Sequence, residues 1–312
     1  MVEKKWPLVS VITVNYNQSK VTEEFLNSFM EITYPETEIF VVDNASKKED
    51  HAESLKEKYP HIHFIQNKEN LGFAAGNNAA LPYCKGKYVL FINNDTEVEK
   101  GFLEPLVEVL ESDEKIAMVS PKVHYFHTPG TFQFAGFTPI NPITIRNFAL
   151  GFGEKDTGQY DVTCETGSIF GAAMLVSMKA IQKVGMMAEN FFLYYEEHDW
   201  AAHMKKAGYK IYYQGKSLVL HKESISTVKE SPFQIFYLTR GRILYARRNN
   251  KGLIKLLSTL YLNTIAIPKQ ALHFLLKGRA DLSVATWKSM WWHWTHYKNI
   301  YGLPQLQKTV LQ

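Results

Sequence analysis

Cysteine is nearly absent from this chain: Cys84 and Cys164 are the only two in 312 residues and lie far apart. Neither a disulfide framework nor a thiolate metal cluster fits such usage, and a reducing compartment is the default. Long apolar runs are missing too. The closest, 253–276, is interrupted by Lys255, Asn263, Pro268, Lys269, Gln270 and His273, short of the roughly 18 to 20 apolar residues a bilayer span needs. A Gly-X-Gly-X-X-Gly turn is also lacking, since the first apolar run, VSVITV, leads into NYNQS; this argues against a dinucleotide-dependent oxidoreductase. The opening MVEKKWPLVSVITVNYN has no long h-region and no small-residue cleavage site, so it reads as a core strand and not as a leader. There is no internal repeat and no low-complexity segment. The expected location is cytoplasmic.

What is present points to a globular protein. Hydrophobic residues make up 46% and aromatics 13% of the chain, too many for disorder. The length suits one large α/β domain with an appendage, or two small domains. The net charge of +4 hides an asymmetry: residues 222–312 hold 14 Lys+Arg against 3 Asp+Glu, leaving 21 against 28 for residues 1–221. Such a basic segment suits an anionic partner, either nucleic acid or acidic lipid; the alternative is a solvated helix surface with no partner.

Three short apolar runs, Val9–Val14 (VSVITV), Glu38–Val42 (EIFVV) and Tyr88–Ile92 (YVLFI), read as strands covered on both faces. Helix-like periodicity over Lys20–Ile32 and Lys47–Lys58 makes the order β-α-β-α-β, which predicts a parallel sheet. Ligands of such sheets bind at the carboxyl ends of the strands. Those ends are all polar: Asn15, Tyr16 and Asn17; Asp43, Asn44, Ala45 and Ser46; Asn93, Asn94 and Asp95. Each alone is explained by the turn preference of Asn, Asp and Ser, whereas three on one edge indicate a polar site.

Beyond this, Tyr125–Asp161 is irregular and rich in Gly, Pro, Thr and Phe, suggesting loops, short strands or a flap. A helix is expected over Lys179–Val184, another over Asp199–Ala207 stopped by Gly208, and basic helices from Ser231 onward. The densest polar cluster is FFLYYEEHDW, 191–200. Carboxylates among aromatic rings gain proton affinity by desolvation and mutual repulsion, which suits a general base. A helix N-terminus, where acids are favoured, explains the same cluster without chemistry.

Six ordered strings, DNAS (43–46), NLGFAAGNN (70–78), FINNDTEV (91–98), GAAMLV (171–176), FFLYYEEHDWAAHMKKAGY (191–209) and LVLH (218–221), resemble glycosyltransferase family 2. Within it the chain is most similar to bacterial rhamnosyltransferase-like and galactofuranosyltransferase-like members of surface-polysaccharide synthesis, over roughly residues 7–250. The resemblance implies an α/β GT-A fold with a mostly parallel central sheet and flanking helices. It implies a catalytic domain over 1–230, divided near residue 100 into nucleotide-sugar and acceptor halves, with a basic helical extension over 231–312. It further implies inversion, a donor such as dTDP-rhamnose or a UDP-sugar, and a divalent metal, Mn²⁺ or Mg²⁺. The acceptor would be a glycan or a polyprenyl-diphosphate-linked saccharide.

Carried over residue by residue, Val14, Asn15 and Tyr16 would hold the nucleobase and Asp43 its imide, with Asn70, Gly72 and Asn77 as further nucleotide contacts and Phe73 as packing. Asn93, Asn94 and Asp95 stand at the family's Asp-X-Asp motif, of which only the last acid remains. Asp95 would thus be the metal carboxylate, Asn93 and Asn94 donor contacts, and His221 a second metal ligand. One carboxylate suffices when substrate phosphates and water complete the shell, and imidazole favours Mn²⁺. Glu197 stands where the family has its catalytic Asp, with Asp199 as the alternative base or as the residue that fixes the following helix start. His203 stands in place of a common arginine, and Arg240 matches an arginine that would face a phosphate or lie on the surface.

Trp287, Trp291, Trp294 and Lys298 follow at helical steps, with Trp292 and Tyr301 nearby. Core or dimer packing would explain this stripe, as would peripheral membrane contact through residues 250–302. A homodimer and a nucleotide-sugar-binding pseudoenzyme are the alternatives kept open; nucleic acid is the less favoured anionic partner.

Overall fold

The computed structural model describes residues 5–222, 230–296 and 302–307. Its strands are β1 (Val9–Asn15), β2 (Thr37–Asp43), β3 (His63–Gln66), β4 (Tyr88–Ile92), β5 (Thr96–Val98), β6 (Ile116–Tyr125), β7 (Phe132–Phe134), β8 (Thr163–Glu165), β9 (Ala173–Ser177) and β10 (Lys210–His221). The helices are α1 (Ser19–Phe29), α2 (Ser54–Lys58), α3 (Gly72–Asn78), α4 (Leu103–Ser112), α5 (Met178–Val184), α6 (Glu196–Lys206), α7 (Pro232–Asn249), α8 (Gly252–Tyr261), α9 (Ile267–Leu276) and α10 (Ala280–Thr295).

One sheet runs in the order β3-β2-β1-β4-β9-β6-β10-β5, with β7 beside β6 and β8 beside β10. β1, β2, β3 and β4 are parallel. Val9, Val11 and Ile12 are wholly buried, as expected of a strand covered by helices on both faces. One face is covered by α1, whose Thr22, Phe25, Leu26 and Phe29 form a buried stripe at helical spacing, and by α4. The other face packs against α3, α5 and α6, with Trp200 fully buried against Phe91.

The sheet is mostly parallel as expected: β6 and β10 pair parallel and run with β1–β4, while β9, inserted between β4 and β6, and β5, β7 and β8 run antiparallel. Apolar composition marks GAAMLV as a strand but carries no information on its direction. One expectation changes. The helix over Lys47–Lys58 shrinks to α2 plus a 3₁₀ turn at Lys48–Asp50, separated by His51 at φ 53°. A tertiary contact overrides local periodicity there. The Asp50 carboxylate accepts from Ser19 N (2.9 Å) and from Asn15 Nδ2 (3.0 Å), which pulls this turn onto the end of β1.

The C-terminal helices begin where Ser231 caps α7, its hydroxyl accepting from Gln234 N at 3.2 Å, with Pro232 at the first helical position. A π-helical turn, Leu262–Ala266, joins α8 directly to α9, and α10 packs between α9 and α7.

Candidate active site

The parallel strands β1, β2 and β3 end in register, with Asn15 opposite Asp43 and Asp43 opposite Gln66. Side chains continue this alignment as a hydrogen-bonded ladder. Asn94 Nδ2 donates to Thr22 Oγ1 (2.9 Å), which donates to Asn15 Oδ1 (2.9 Å). Asn15 Nδ2 donates to Asp43 Oδ1 (2.8 Å), and Gln66 Nε2 to Asp43 Oδ2 (2.5 Å). Fully paired buried networks of this kind fix one geometry. Asn15 and Asp43 therefore lie beneath the site as its frame, and neither faces the cavity above.

That cavity, about 380 Å³, opens over the strand ends. It is lined by Val14, Tyr16, Asn93, Asn94 and Asp95 from the strand ends, by Asn70, Gly72 and Asn77 from the glycine segment and α3, and by His221 from the end of β10. Nine expected residues thus meet. Asn44, from the second polar strand end, and Phe192, Leu193 and Tyr194, from the FFLYYEEHDW cluster, line it as well, together with Gln133, Phe233 and Gln234, which the sequence did not single out.

Asn44 organises the glycine segment: its Nδ2 donates to Gly72 O (3.0 Å) and its Oδ1 accepts from Leu71 N (3.3 Å). Gly72 is at φ +77°, and a Cβ there would lie 2.2 Å from Phe192 O. The close approach that requires glycine is thus to the 192–195 turn, with Phe73 N donating to Phe192 O at 2.6 Å. Gly72→Ala is expected to displace this turn and weaken donor binding at least tenfold, measurable by calorimetric titration; unchanged affinity would show that the turn is not part of the site.

The turn itself is strained. Phe192, Tyr194 and Tyr195 have φ of 65°, 67° and 75°, each costing on the order of 1–3 kcal/mol for residues other than glycine. Surrounding groups hold it. Arg240 Nη2 donates to Asn190 O (3.0 Å) and to Phe191 O, while Phe192 stacks on Tyr237 at 4.9 Å. Gly241 leaves room for Tyr194 O, which a Cβ would approach to 2.7 Å. Arg240 is buried, sandwiched between Tyr237 (4.7 Å) and Trp292 (4.6 Å). Its guanidinium is spent on positioning this turn and does not reach the cavity.

Asp95 and His221, 126 positions apart, meet because β10 runs antiparallel to β5 with His221 opposite Thr96. His221 Nδ1 lies 2.7 Å from Gln133 Oε1, and its Nε2 lies 3.1 Å from Asp95 Oδ1. An imidazole nitrogen and a carboxylate oxygen are both ligand types that a divalent cation accepts. Adjacent ligands of an octahedral ion at about 2.1 Å lie about 3 Å apart, so the pair fits one divalent metal. Gln133 orients the imidazole as an outer-shell partner. Among the described residues no three His, Cys, Asp or Glu side chains converge, which leaves further positions to phosphate oxygens and water.

At the start of α6 the two adjacent glutamates diverge. Glu196 is buried, its Oε2 has no hydrogen-bond partner, and burial together with the Glu197 charge pushes its carboxyl well above the usual range. The expected gain in proton affinity therefore falls on Glu196. Glu197 is half-buried beside Gly171, 3.7 Å from the position a Cβ would take there. The neighbouring Ala172 carbonyl accepts from Asn93 N (2.9 Å), which joins the segment beside Glu197 to the Asn93–Asp95 strand end, while Glu197 itself does not line the cavity.

Asp199 does neither of its expected jobs as a base or helix cap. It is fully buried and accepts two hydrogen bonds from Arg248, Nε to Oδ1 and Nη2 to Oδ2, both 3.0 Å. Asn249 Nδ2 adds a third at 2.6 Å, so Asp199 ties α6 to α7. His203, with its proton affinity lowered by burial, faces the same carboxylate at 3.8 Å. Asp199→Ala would take the carboxylate away from the buried Arg248 guanidinium and is expected to cost roughly 3–5 kcal/mol in denaturant unfolding. A loss below about 1 kcal/mol, the range of exposed pairs, would overturn this role.

The sequence profile of Glycosyl transferase family 2 matches residues 10–181. Among curated proteins, the low-salt glycan biosynthesis hexosyltransferase Agl10 of Haloferax volcanii is 26% identical over 76% of this chain and 74% of its own length. The putative teichuronic acid biosynthesis glycosyltransferase TuaG of Bacillus subtilis is 33% identical over 33% of this chain and 42% of its own. Among solved structures, GalNAc-T7 with UDP, GalNAc and Mn²⁺ superposes with a TM-score of 0.67 at 14% identity, covering 96% of this chain and 59% of that one. The mannosyltransferase PcManGT of Pyrobaculum calidifontis, in complex with GDP-Man and Mn²⁺, gives 0.56 at 15% identity, covering 94% and 76%. With its sheet order and six ordered motifs, the chain belongs to glycosyl transferase family 2 and has the GT-A fold.

Proposed function

We propose that the protein is an inverting, metal-dependent glycosyltransferase of glycan synthesis. It would move a sugar from a nucleoside diphosphate donor, dTDP-rhamnose or a UDP-sugar, to a hydroxyl of a glycan or polyprenyl-diphosphate-linked saccharide. The observation that carries this reading is the meeting of Asp95 and His221 in the lining of the strand-end cavity. Mn²⁺-bound structures of similar fold support the choice of metal.

In this reading Tyr16, which is exposed in the cavity lining, offers its ring to the nucleobase beside Val14. Asn70, Asn77, Asn93 and Asn94 offer amides to base and ribose, each able to donate and accept. Asp95 and His221 are the residues that would hold a divalent ion, which would supply positive charge against the departing diphosphate. Glu197 takes the proton from the acceptor hydroxyl as that oxygen attacks the anomeric carbon.

Thermal-shift screening of the full chain against nucleotide sugars, with and without Mn²⁺, tests the reading. A cognate donor at a hundredfold its Kd should add about 2.7 kcal/mol to stability, and the shift should be larger with the metal than without it. No shift with any nucleotide sugar would sink it.

A further inference from the structure

The C-terminal helices leave much of their apolar surface facing outward. Helix α8 buries only Ser258 and turns Leu253, Ile254, Leu256, Leu257 and Leu260 to the outside, Leu253 being 68% exposed. Through the π-helical turn into α9 the inward row continues as Leu262, Ile267 and Ala271. The five-residue step at the π turn keeps that row in phase, so Leu272, Leu275 and Leu276 also remain outside, the last 79% exposed. Helix α10 turns Leu282, Ser283, Ala285, Thr286, Ser289 and His293 inward, while Trp287, Trp291 and Trp294 form an outer stripe. Packing does not account for that stripe, and Lys298 and Tyr301 lie outside the described residues. Because α10 lies against α9, the outward faces belong to one helical layer. Contiguous apolar surface on this scale marks an interaction site.

The charges select the partner. Residues 250–296 carry Lys251, Lys255, Lys269, Lys277, Arg279 and Lys288 against a single acid, Asp281, which pairs with Arg279 at 2.9 Å. A second copy docked on this layer would bring two basic rims together, at an electrostatic cost. Anionic headgroups would instead pair with the lysines, whose stems lie along the apolar surface while their ammonium groups reach outward. Tryptophan suits the boundary between headgroups and acyl chains. Among the described residues no helix is long and apolar enough to cross a membrane, so the layer must lie in the interface plane.

We infer that the outer face of α8, α9 and α10 docks on an anionic phospholipid bilayer, with the three helices lying in the headgroup region. This inference rests on the helices alone and not on the transferase reading. It is tested by flotation of the full chain with vesicles of phosphatidylglycerol and phosphatidylcholine, compared with phosphatidylcholine alone. The wild type should float with the anionic vesicles and be displaced by salt. Each Lys→Gln change at 251, 269 or 277 should weaken partitioning by about fivefold. Leu256→Ser with Leu260→Ser and Trp291→Ser should abolish it while circular dichroism and nucleotide binding remain as in the wild type. Failure of the wild type to float at low salt would overturn the inference. So would light scattering showing a stable dimer that the same serine changes dissolve, because the layer would then be covered by a second copy. Nucleotide affinity, measured in parallel, separates either failure from failure of the catalytic reading.

Discussion

Asp95→Ala is expected to abolish Mn²⁺-dependent donor binding while leaving the weak metal-independent affinity in place. Asp95 is the only carboxylate beside His221 Nε2, at 3.1 Å, and among the described residues no third acidic or metal-ligating side chain is at hand to replace it. Loss of an outer-shell partner already costs 10–100-fold in metal affinity, as a rough rule. Gln133→Ala should show that smaller effect, since Gln133 only fixes the tautomer and orientation of His221, and loss of the carboxylate should exceed it. Calorimetric titration of UDP and dTDP, each with and without Mn²⁺, reads both effects without needing an acceptor. Equal Mn²⁺ enhancement in Asp95→Ala and wild type would refute the metal assignment. Circular dichroism guards against a trivial loss of fold, because Asp95 N–C=O geometry also anchors Lys222, whose amide donates to Asp95 O at 2.8 Å.

The contrast between Asp95 and Asp43 shows what the sequence disclosed and what it withheld. Both end parallel strands in polar strings, and strand ends are visible from β-branched runs. Whether an end residue faces ligand or framework depends on its neighbours in space. Asp43 is enclosed by Asn15, Ser46 and Gln66, of which Asn15 and Gln66 come from other strands. Arg240 and Asp199 differ from expectation for the same reason, since their partners, the Phe191 carbonyl and Arg248, lie some 50 positions away.

The aromatic wall was the least legible part. Left-handed backbone at Phe192, Tyr194 and Tyr195 contradicts the preference of such residues, so no local rule announces the turn. Gly72 and Gly241 supplied an indirect signal, each required by a carbonyl of that turn. Likewise, helical spacing revealed the tryptophan stripe of α10 but not its direction, because period alone does not say which face meets water. The small polar residues on the opposite face, Ser283, Thr286 and Ser289, carried that information.

Glu197→Gln is expected to lower kcat by about 10²–10⁴, the range for loss of a positioned general base, with nucleotide affinity unchanged. The amide keeps the shape and packing beside Gly171 but does not accept the acceptor's proton. Glu196→Gln supplies the matched comparison one residue away. Because burial and the Glu197 charge favour the neutral acid at Glu196, an amide there changes little, and turnover should stay within about a few fold of wild type. Glu197→Asp adds a geometric test: withdrawing the carboxylate by roughly one carbon–carbon bond should cost about a hundredfold if the surrounding turn is built for glutamate. A variant series in which Glu196→Gln is the damaging change, and Glu197→Gln is not, would move the base to Glu196. A wild type that binds donor with Mn²⁺ yet transfers sugar to no glycan or lipid-linked acceptor would instead mark the site as one that binds without turnover. Donor affinity measured alongside turnover therefore decides between a misassigned base and a protein that only holds its nucleotide sugar.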